Sequence, residues 1–317
     1  MGRIRQKKKK QPITQPAASA KQQRPSSLPD SASSQTTRGI IRRFHVLNKQ
    51  KARLQKATEK TKTALRAGKL KAAGGKGDVE LAEIEGEMEA LGGLERYQAM
   101  SSIGQSGLKG GGSEKVLVKW LKEIYWSNVD AESAKGRGKL ELLDVGALKH
   151  DNYKKASSLI SATPIDLHSR HPQIVEQDFM QISPGEANPH NLSREWDVIS
   201  LSLVLNFVPD ARERGRMLHL AHMLLKKDGL LFVVLPLPCV VNSRYLTIEH
   251  WTSLMKAVGF DRVKEQWKPT GKVGYWLFRK TPRGQRKADY RDFEKKAVLR
   301  EGSARNNFCI LLDLHDA

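Results

Sequence analysis

Two aspartates and one glycine stand at the spacing of a nucleoside-binding site. Asp144 and Gly146 follow the apolar run that begins at Leu140, and Asp166 closes a second apolar run 20 residues after Gly146. A glycine turn after one strand and an acid at the end of the next hold a nucleoside-bearing cofactor at the carboxyl edge of a parallel sheet. Glycine lets the backbone approach the ligand, and the acid accepts hydrogen bonds from ribose hydroxyls. Only one of the usual glycines is present, so the motif alone suits many nucleotide-like ligands.

The elements that must position these residues alternate between strand and helix patterns. Ser113 is expected to cap a helix before the first strand. Alternation with short connections predicts a parallel, doubly wound α/β sheet, and two late β-like runs without a helix between them predict an antiparallel edge. The predicted strands are Leu140–Val145, Thr163–Leu167, Ile174–Phe179, Trp196–Leu205, Leu230–Pro236, Arg262–Trp267, Val273–Arg279 and Phe308–Leu314, and the predicted later helices are Tyr153–Leu159, Pro209–Leu225 and Thr247–Gly259.

Positive charge is concentrated near the amino terminus. The first 78 residues hold 21 of the 55 Lys and Arg but only 3 of the 34 Asp and Glu, whereas the remaining 239 residues carry a net charge of +3. A basic arm is drawn to polyanions through phosphate neutralisation and counterion release. A solvated tail, or a nuclear address at Lys7–Lys10, is an alternative that is compatible with this role.

Composition divides the chain into three parts. Residues 1–78 form the basic arm, which we expect to be disordered up to about residue 37 and helical over Gly39–Gly68. Residues 79–112 contain a helix followed by the polar segment Tyr97–Gly107, which is either a linker or a cap over the mouth of the cofactor site. Residues 113–317 form the main α/β domain.

Other features of the sequence indicate the cellular compartment and argue against a metal site. Cys239 and Cys309 are far apart and show no disulfide framework or zinc spacing, which fits a reducing compartment. No apolar run approaches the roughly 20 residues that span a bilayer, and the amino terminus lacks the apolar core of a secretory signal. His219 and His222 lie three apart without a carboxylate or cysteine at ligand spacing, so we expect no metal site.

The carboxyl-terminal stretch Arg262–Arg305 is also basic. It holds 14 basic and 5 acidic residues, with Trp267, Tyr275, Trp276 and Tyr290 interleaved among them. Aromatic residues among cations suit nucleic acid. The alternative is a charged edge strand that resists aggregation, with Trp276 in the core.

Taken together, these segments resemble a known enzyme class. Five strands that alternate with helices and end in an antiparallel pair look like a class I S-adenosylmethionine-dependent methyltransferase, with a mostly parallel, Rossmann-like seven-stranded sheet and helices on both faces. More narrowly, the sequence is similar to the fungal large-subunit (25S) rRNA adenine-N(1) methyltransferase family. The segments that carry this resemblance are Leu-Leu-Asp-Val-Gly-Ala, Ile-Asp-Leu-His-Ser, Glu-Gln-Asp-Phe-Met, Asp-Val-Ile-Ser-Leu-Ser-Leu-Val-Leu-Asn-Phe-Val-Pro, Leu-Pro-Leu-Pro-Cys-Val-Val-Asn-Ser-Arg-Tyr and Tyr97–Gly107.

The resemblance implies roles for the donor-side residues. Gly146 would lie beside the amino-acid end of S-adenosylmethionine, and Asp166 would bind its ribose hydroxyls. Asp178 and Phe179 would border the adenine ring of the donor. Asp144 would steady the loop or the donor's amino group, or it would cap the next helix; Asp178 has the alternative of a turn residue. Ala147 stands where many methyltransferases carry another glycine.

The segment after the fourth strand faces the methyl acceptor in such enzymes. Asn206 could bond a base edge and Phe207 could stack on it, or Phe207 could pack in the core while Asn206 caps the helix. Arg244 could bind phosphate and Tyr245 could stack. The Asp/Asn-Pro-Pro-aromatic turn used on exocyclic amines is absent, which fits a ring nitrogen, whose lone pair attacks without prior deprotonation. Positioning of an unstacked base would then suffice, so no catalytic side chain is assigned.

The resulting prediction is a methyltransferase that modifies adenine N1 in large-subunit rRNA, with S-adenosylmethionine as methyl donor and no metal. We expect its partner to be rRNA or a pre-ribosomal particle, no membrane association, a monomer, and a location in the nucleus and nucleolus. The alternatives are a non-catalytic sensor of the methyl donor and a ribosome-assembly factor with a vestigial pocket. The basic segments favour the RNA enzyme over the sensor, because a sensor does not need affinity for polyanions.

Overall fold

One seven-stranded sheet forms the centre of the protein. The computed structural model describes residues 34–66, 76–104, 112–126, 138–169, 171–281 and 290–313. The strands are β1 (Leu140–Val145), β2 (Ile160–Asp166), β3 (Val175–Glu176), β4 (Trp196–Ser202), β5 (Leu225–Pro236), β6 (Phe260–Gln266) and β7 (Val273–Lys280). Their order is β3-β2-β1-β4-β5-β7-β6, with β7 antiparallel to β5 and β6 and the other pairs parallel. This topology confirms the predicted class I methyltransferase fold.

Helices cover both faces of the sheet, which is why its central strands are apolar almost throughout. Helix α4 (Ser113–Tyr125) buries Leu117, Trp120 and Leu121 on one face. The other face is covered by α5 (Ala211–Leu224) and α7 (Ile248–Val258), with the short α6 (Pro238–Val241) after β5. Asp210 caps α5 and Thr247 caps α7, and Gly259 ends α7 in the left-handed region, as helix-terminus chemistry requires.

Three further helices form a layer outside this sheet. They are α1 (Ser34–Arg66), α2 (Lys76–Ala90) and α3 (Gly93–Gly104). Phe44 and Leu47 of α1 are buried, at 6% and 1% exposure, so α1 is docked on the rest of the protein and not solvated on all sides. The predicted helix in the basic arm is therefore confirmed, whereas the expected disordered stretch lies almost entirely outside the described residues.

The connections at one end of the sheet are shorter than predicted. The predicted helix Tyr153–Leu159 is a 3₁₀ turn over Lys154–Ala156, and β3 has two residues. Tyr153 and Ala156 are buried three positions apart, a spacing that one 3₁₀ turn satisfies as well as a helix does.

Two other predictions about elements were wrong. The predicted strand at Phe308 lies outside the sheet, although Phe308, Cys309, Ile310 and Leu312 are buried. Its main chain bonds elsewhere: Leu311 N donates to Ala211 O and Leu312 N donates to Phe293 O. Its apolar character reflects packing against α5 and not strand pairing. Ser113 is the first residue of α4 and makes no capping bond; its hydroxyl is 2.7 Å from the Ser202 hydroxyl at the end of β4.

Candidate active site at the carboxyl edge of the sheet

The donor-side residues predicted from the sequence lie side by side along one edge. β1 pairs with β2 so that Val145 is opposite Ile165, and β2 pairs with β3 so that Asp166 is opposite Glu176. Ala147 N also donates to Ile165 O at 3.0 Å, which ties the glycine turn to the end of β2. Gly146, Asp166 and Asp178 therefore follow three neighbouring strands at the edge where nucleosides bind in open α/β sheets.

Gly146 adopts a conformation that other residues rarely take. Its φ is +72°, in the left-handed region, and a Cβ atom there would lie 2.7 Å from Val204 Cγ2. The sparse glycine motif thus keeps its glycine at the one position that requires it. The contact also brings the loop after β4, which contains Val204 and Asn206, directly against the donor-side turn.

Asp144 is buried beneath this turn, at 4% exposure. Burial raises the pKa of its carboxyl group from the ordinary 3.8 to about 6, although the hydrogen bond from Asn152 Nδ2 acts in the opposite direction. That bond is 2.9 Å long, and it folds the loop after β1 back onto the strand. Asp144 does not cap a helix, and it holds the loop in place.

Asp166 is reached from the outer helical layer. Its Oδ1 accepts a hydrogen bond from His168 N at 2.9 Å and from Gln98 Nε2 at 3.4 Å. Gln98 belongs to α3, is 7% exposed and also donates to His168 O at 3.1 Å. The sequence left Tyr97–Gly107 as a linker or a cap over the cofactor site and did not single out Gln98; residues 105–107 of that segment lie outside the described chain.

Asp178 and Phe179 have local structural roles. Asp178 Oδ1 accepts from Met180 N at 2.9 Å and so caps the 3₁₀ turn Phe179–Gln181. The Phe179 ring is 3% exposed and packs in the core, and the expectation that Asp178 and Phe179 border the donor adenine stays a prediction. The turn places the main chain of these residues at the edge, and the buried ring anchors it.

A wide cleft opens on the α4 side of the edge, which we call the α4 cleft. Its volume is about 910 Å³, and its lining includes Ser113, Asp144, Gly146, Leu203 and Tyr275. One side of α4, from Ser113 to Glu123, forms one wall, and the loops after β1 and β4 form the other. The cleft provides space next to Gly146 for a ligand of nucleoside size.

A second cleft lies on the opposite side of the β4 loop, beneath α1, and we call it the α1 cleft. Its volume is about 960 Å³, and Asn206 forms part of its lining with Pro236 and Pro238 at the end of β5. Asn206 is 7% exposed, and its Oδ1 has no hydrogen-bond partner in the described part of the chain. A buried acceptor without a partner is costly unless a ligand satisfies it. Asn206 does not cap α5, since Asp210 does so.

Phe207 is enclosed by aromatic rings from the outer layer. Its ring centroid is 4.2 Å from that of His45 in α1 and 5.4 Å from that of Tyr97 in α3, and Tyr97 stacks on Phe44 at 4.5 Å. Burial lowers the pKa of His45 to about 4, so this imidazole is neutral near pH 7. The described structure thus directs Phe207 into a cluster that fixes α1 and α3 on the β4 loop.

The other predicted acceptor residues surround the rim of the α1 cleft. Arg244 Nη1 donates to Asn307 Oδ1 at 2.6 Å, and Asn307 lines the cleft. Lys296 Nζ lies 5.7 Å from the centroid of the Tyr245 ring. The side chains of Arg244 and Tyr245 are half-buried. Arg244 Nη2 also donates to the carbonyl oxygen of Gly302 and so anchors the loop that contains this glycine.

Several features noted in the sequence have structural roles. Trp276 and Tyr290 are core residues, as the alternative proposed for Trp276, whereas Trp267 and Tyr275 are half-buried. His219 stacks on Tyr290, and His222 lies 3.0 Å from Thr281 O. Within the described ranges, no group of three or more His, Cys, Asp or Glu side chains could hold a metal ion, and no helix is long and apolar enough to cross a membrane.

Comparison with known proteins identifies the family. Residues 82–310 match the family described as 25S rRNA (adenine(2142)-N(1))-methyltransferase, Bmt2. The chain belongs to this family. A relative from Schizosaccharomyces pombe, named 25S rRNA adenine-N(1) methyltransferase, is 31% identical over 86% of this chain and 91% of its own length. The 25S rRNA (adenine(2142)-N(1))-methyltransferase of Saccharomyces cerevisiae is 33% identical over 73% of this chain and 64% of its own length.

The named relatives support the enzyme over the two alternatives, a sensor or an assembly factor.

Solved structures show more distant likeness to this Bmt2-family chain. The N-methyltransferase NodS from Bradyrhizobium japonicum is 14% identical, with a TM-score of 0.34 over 45% of this chain and 79% of its own. The 1,6-didemethyltoxoflavin-N1-methyltransferase from Burkholderia thailandensis is 18% identical, with a TM-score of 0.35 over 54% of this chain and 87% of its own.

Proposed function

We propose that this chain transfers the methyl group of S-adenosylmethionine to N1 of an adenine in large-subunit rRNA. The observation that carries the proposal is the position of Asn206. Asn206 lines the α1 cleft and its Oδ1 is buried without a hydrogen-bond partner in the described part of the chain, while Val204, two residues earlier, touches the glycine turn after β1. The donor-side turn and the α1 cleft, where we place the acceptor, therefore meet at the loop after β4, as in-line transfer requires.

The residues of the donor edge fit S-adenosylmethionine. Gly146 leaves room for a close approach at the turn, and the Asp166 carboxylate stands where ribose hydroxyls would donate to it. Asp144 supports the turn from below through its bond with Asn152. When bound, the donor supplies an electrophilic methyl group on its sulfonium. Gln98, already bonded to the Asp166 carboxylate, would close the ribose side from α3.

Asn206 fits adenine as the acceptor. A side-chain amide can bond adenine N6–H with its oxygen and N7 with its nitrogen. That arrangement leaves N1 unobstructed, and its lone pair needs no general base. Because N1 lies on the Watson–Crick edge, the target must be unpaired when it enters the cleft. The chain's contribution is to bind, orient and desolvate the base.

Formation of 1-methyladenosine tests this function directly. The full-length protein is incubated with S-adenosylmethionine and deproteinised large-subunit rRNA from cells that lack the gene, and the digested RNA is analysed by mass spectrometry. Asn206→Ala should lower kcat/KM for RNA by about 5- to 150-fold, the worth of a bidentate base contact. Its dissociation constant for the donor, measured by calorimetry, should stay unchanged.

A second pair of variants separates donor binding from the acceptor site. Asp166→Ala should weaken donor binding by about 10- to 150-fold, because a charge-assisted hydrogen bond to ribose is lost. Asp261→Ala removes an exposed carboxylate from edge strand β6 and should change neither quantity. Absence of 1-methyladenosine with the wild-type protein, or a wild-type rate for Asn206→Ala, would overturn the proposal.

We further propose that the protein acts on rRNA or a pre-ribosomal particle in the nucleolus. The four consecutive lysines Lys7–Lys10 support a nuclear address, and a fluorescent fusion should leave the nucleolus when all four become alanine.

We also propose a monomer. The exposed edge of β6 carries Asp261, Arg262, Lys264 and Glu265, which discourages strand-to-strand association. Light scattering that gave a dimer mass would contradict this.

A further inference from the structure

Helix α1 divides its positive charges between two faces. Arg43 and Lys51 point towards α2, where they form ion pairs of 2.5 Å with Glu87 and 2.8 Å with Glu85. The opposite face lines the α1 cleft, where helical spacing aligns Arg42, Lys49, Arg53 and Lys56. One face is thus neutralised within the protein, while the other presents cations to an open groove.

The cations of the cleft are poorly compensated. Arg42, Lys49 and Arg53 form no ion pair within the described part of the chain, and Asp210, which pairs with Lys56 at 3.0 Å, is the sole carboxylate among the described lining residues. The lining adds Arg212, Arg214 and Lys296 from the body of the protein. Arg212 pairs with Asp313, outside the lining, at 3.2 Å, so five of the seven basic side chains that line the cleft form no ion pair within the described residues. That balance favours an anionic ligand.

Arg214 makes the floor of the cleft positive without neutralising it. Its guanidinium is 3% exposed and donates to the main-chain carbonyls of Val208, Pro209 and Cys309, above the ring of Phe308. Burial, followed by the nearby charge of Arg214, lowers the pKa of Lys49. Carbonyl oxygens satisfy the hydrogen bonds of Arg214 but leave its net charge in place, so an anion brought near Lys49 would gain from both groups.

We propose that the α1 cleft is the seat of a single-stranded RNA segment, whose phosphates lie along Arg42, Lys49 and Arg53 while one adenine enters towards Asn206. This inference rests on the proposed function and names the surface that serves it. The stripe from Arg42 to Lys56 is about 21 Å long at 1.5 Å per residue, enough to follow several nucleotides. The family match begins at residue 82, so α1 lies outside it, whereas the opposite wall of the cleft, Asn206 to Cys309, lies within it.

The salt dependence of RNA binding tests the proposal. A fluorescein-labelled single strand of adenine-containing RNA is titrated by anisotropy with the full-length protein at several salt concentrations. The triple variant Arg42→Gln, Lys49→Gln and Arg53→Gln should reduce the slope of log K against log salt by about 2, since each single-strand phosphate contact contributes about 0.7. At fixed low salt, its affinity should fall by about 10- to 100-fold.

A matched triple variant controls for net charge. Lys62, Lys227 and Lys256 are exposed and lie outside the lining of both clefts, so their replacement by Gln should leave the slope within about 0.3 of the wild type. Donor binding should be unchanged in both triples, which shows that each is folded. Equal slope losses in the two triples would overturn the proposal, as would competition by polyglutamate as effective as that by unlabelled RNA, which would indicate an acidic-protein site.

The outcome is separable from that of the proposed function. If the wild-type protein bound RNA through this stripe but formed no 1-methyladenosine, the cleft assignment would stand and the methyl-transfer proposal would fail. If it methylated rRNA while the cleft triple kept both its slope and its rate, the enzyme would stand and the cleft assignment would fail.

Discussion

Replacing Asp144 by Asn should remove a pH-dependent loss of stability. The folded protein holds the pKa of this buried carboxyl near 6, against an ordinary value of 3.8. Between these values the folded state binds more protons than the unfolded state, so stability falls as pH rises. The difference of about two units between the folded and unfolded pKa lowers the free energy of unfolding by about 3 kcal/mol in total as pH rises. About 2 kcal/mol of this loss occurs between pH 4.5 and 7.5. The asparagine side chain of the variant cannot ionise, yet its amide oxygen can still accept from Asn152.

Urea unfolding of the wild-type protein and Asp144→Asn at several pH values measures this difference without any ligand. The free energy of unfolding of the variant minus that of the wild type should increase by about 2 kcal/mol from pH 4.5 to pH 7.5. Parallel curves for the two proteins would refute the burial argument. A wild-type protein that gained stability relative to the variant with rising pH would show that the carboxyl group is stabilised in its ionised form.

Two glycines give further predictions. Gly146→Ala should cost about 1–2 kcal/mol from its left-handed backbone alone and should weaken donor binding, seen by calorimetry, more than RNA binding, seen by anisotropy; equal losses in both would argue for general unfolding. Gly215→Ala should destabilise by about 1–3 kcal/mol or more, because its Cβ would lie 2.0 Å from Leu311 O. The matched change Gly86→Ala, in α2 with nothing within 4 Å, should stabilise by about 1 kcal/mol in urea unfolding, and similar effects of the two changes would contradict the packing argument.

The sequence predicted the order of strands and helices well because burial on both faces leaves continuous apolar runs. Asp144, Gly146 and Asp166 were placed correctly at one edge, since their positions at the carboxyl ends of β1 and β2 determine where they lie. Sequence periodicity reports which residues are buried, however, and not which backbone they pair with. For that reason Phe308–Leu312 resembled a strand, although it is an irregular segment held by main-chain bonds to Ala211 in α5 and to Phe293, and by Arg214.

The contacts between distant parts of the chain could not be predicted. Gln98 meets Asp166 across 68 residues, and His45 meets Phe207 across a longer separation. The composition around Tyr97 suggested a cap, but a polar helix carries no signal for the strand end that it will reach. The basic arm was expected to be attracted to RNA, yet only the structure separates the face of α1 that α2 neutralises from the face that remains charged.

The α1 cleft joins segments that are synthesised far apart in time. One wall is α1, and another contains Asn306–Cys309 and Leu311, which follow the end of α1 by 240 residues or more. During translation the helix is complete long before its opposite wall emerges, so the nascent chain has no finished groove until residue 311 has left the ribosomal tunnel. The nascent chain therefore cannot bind RNA in this groove while most of the protein is still being made. The groove exists only once the methyltransferase fold is complete.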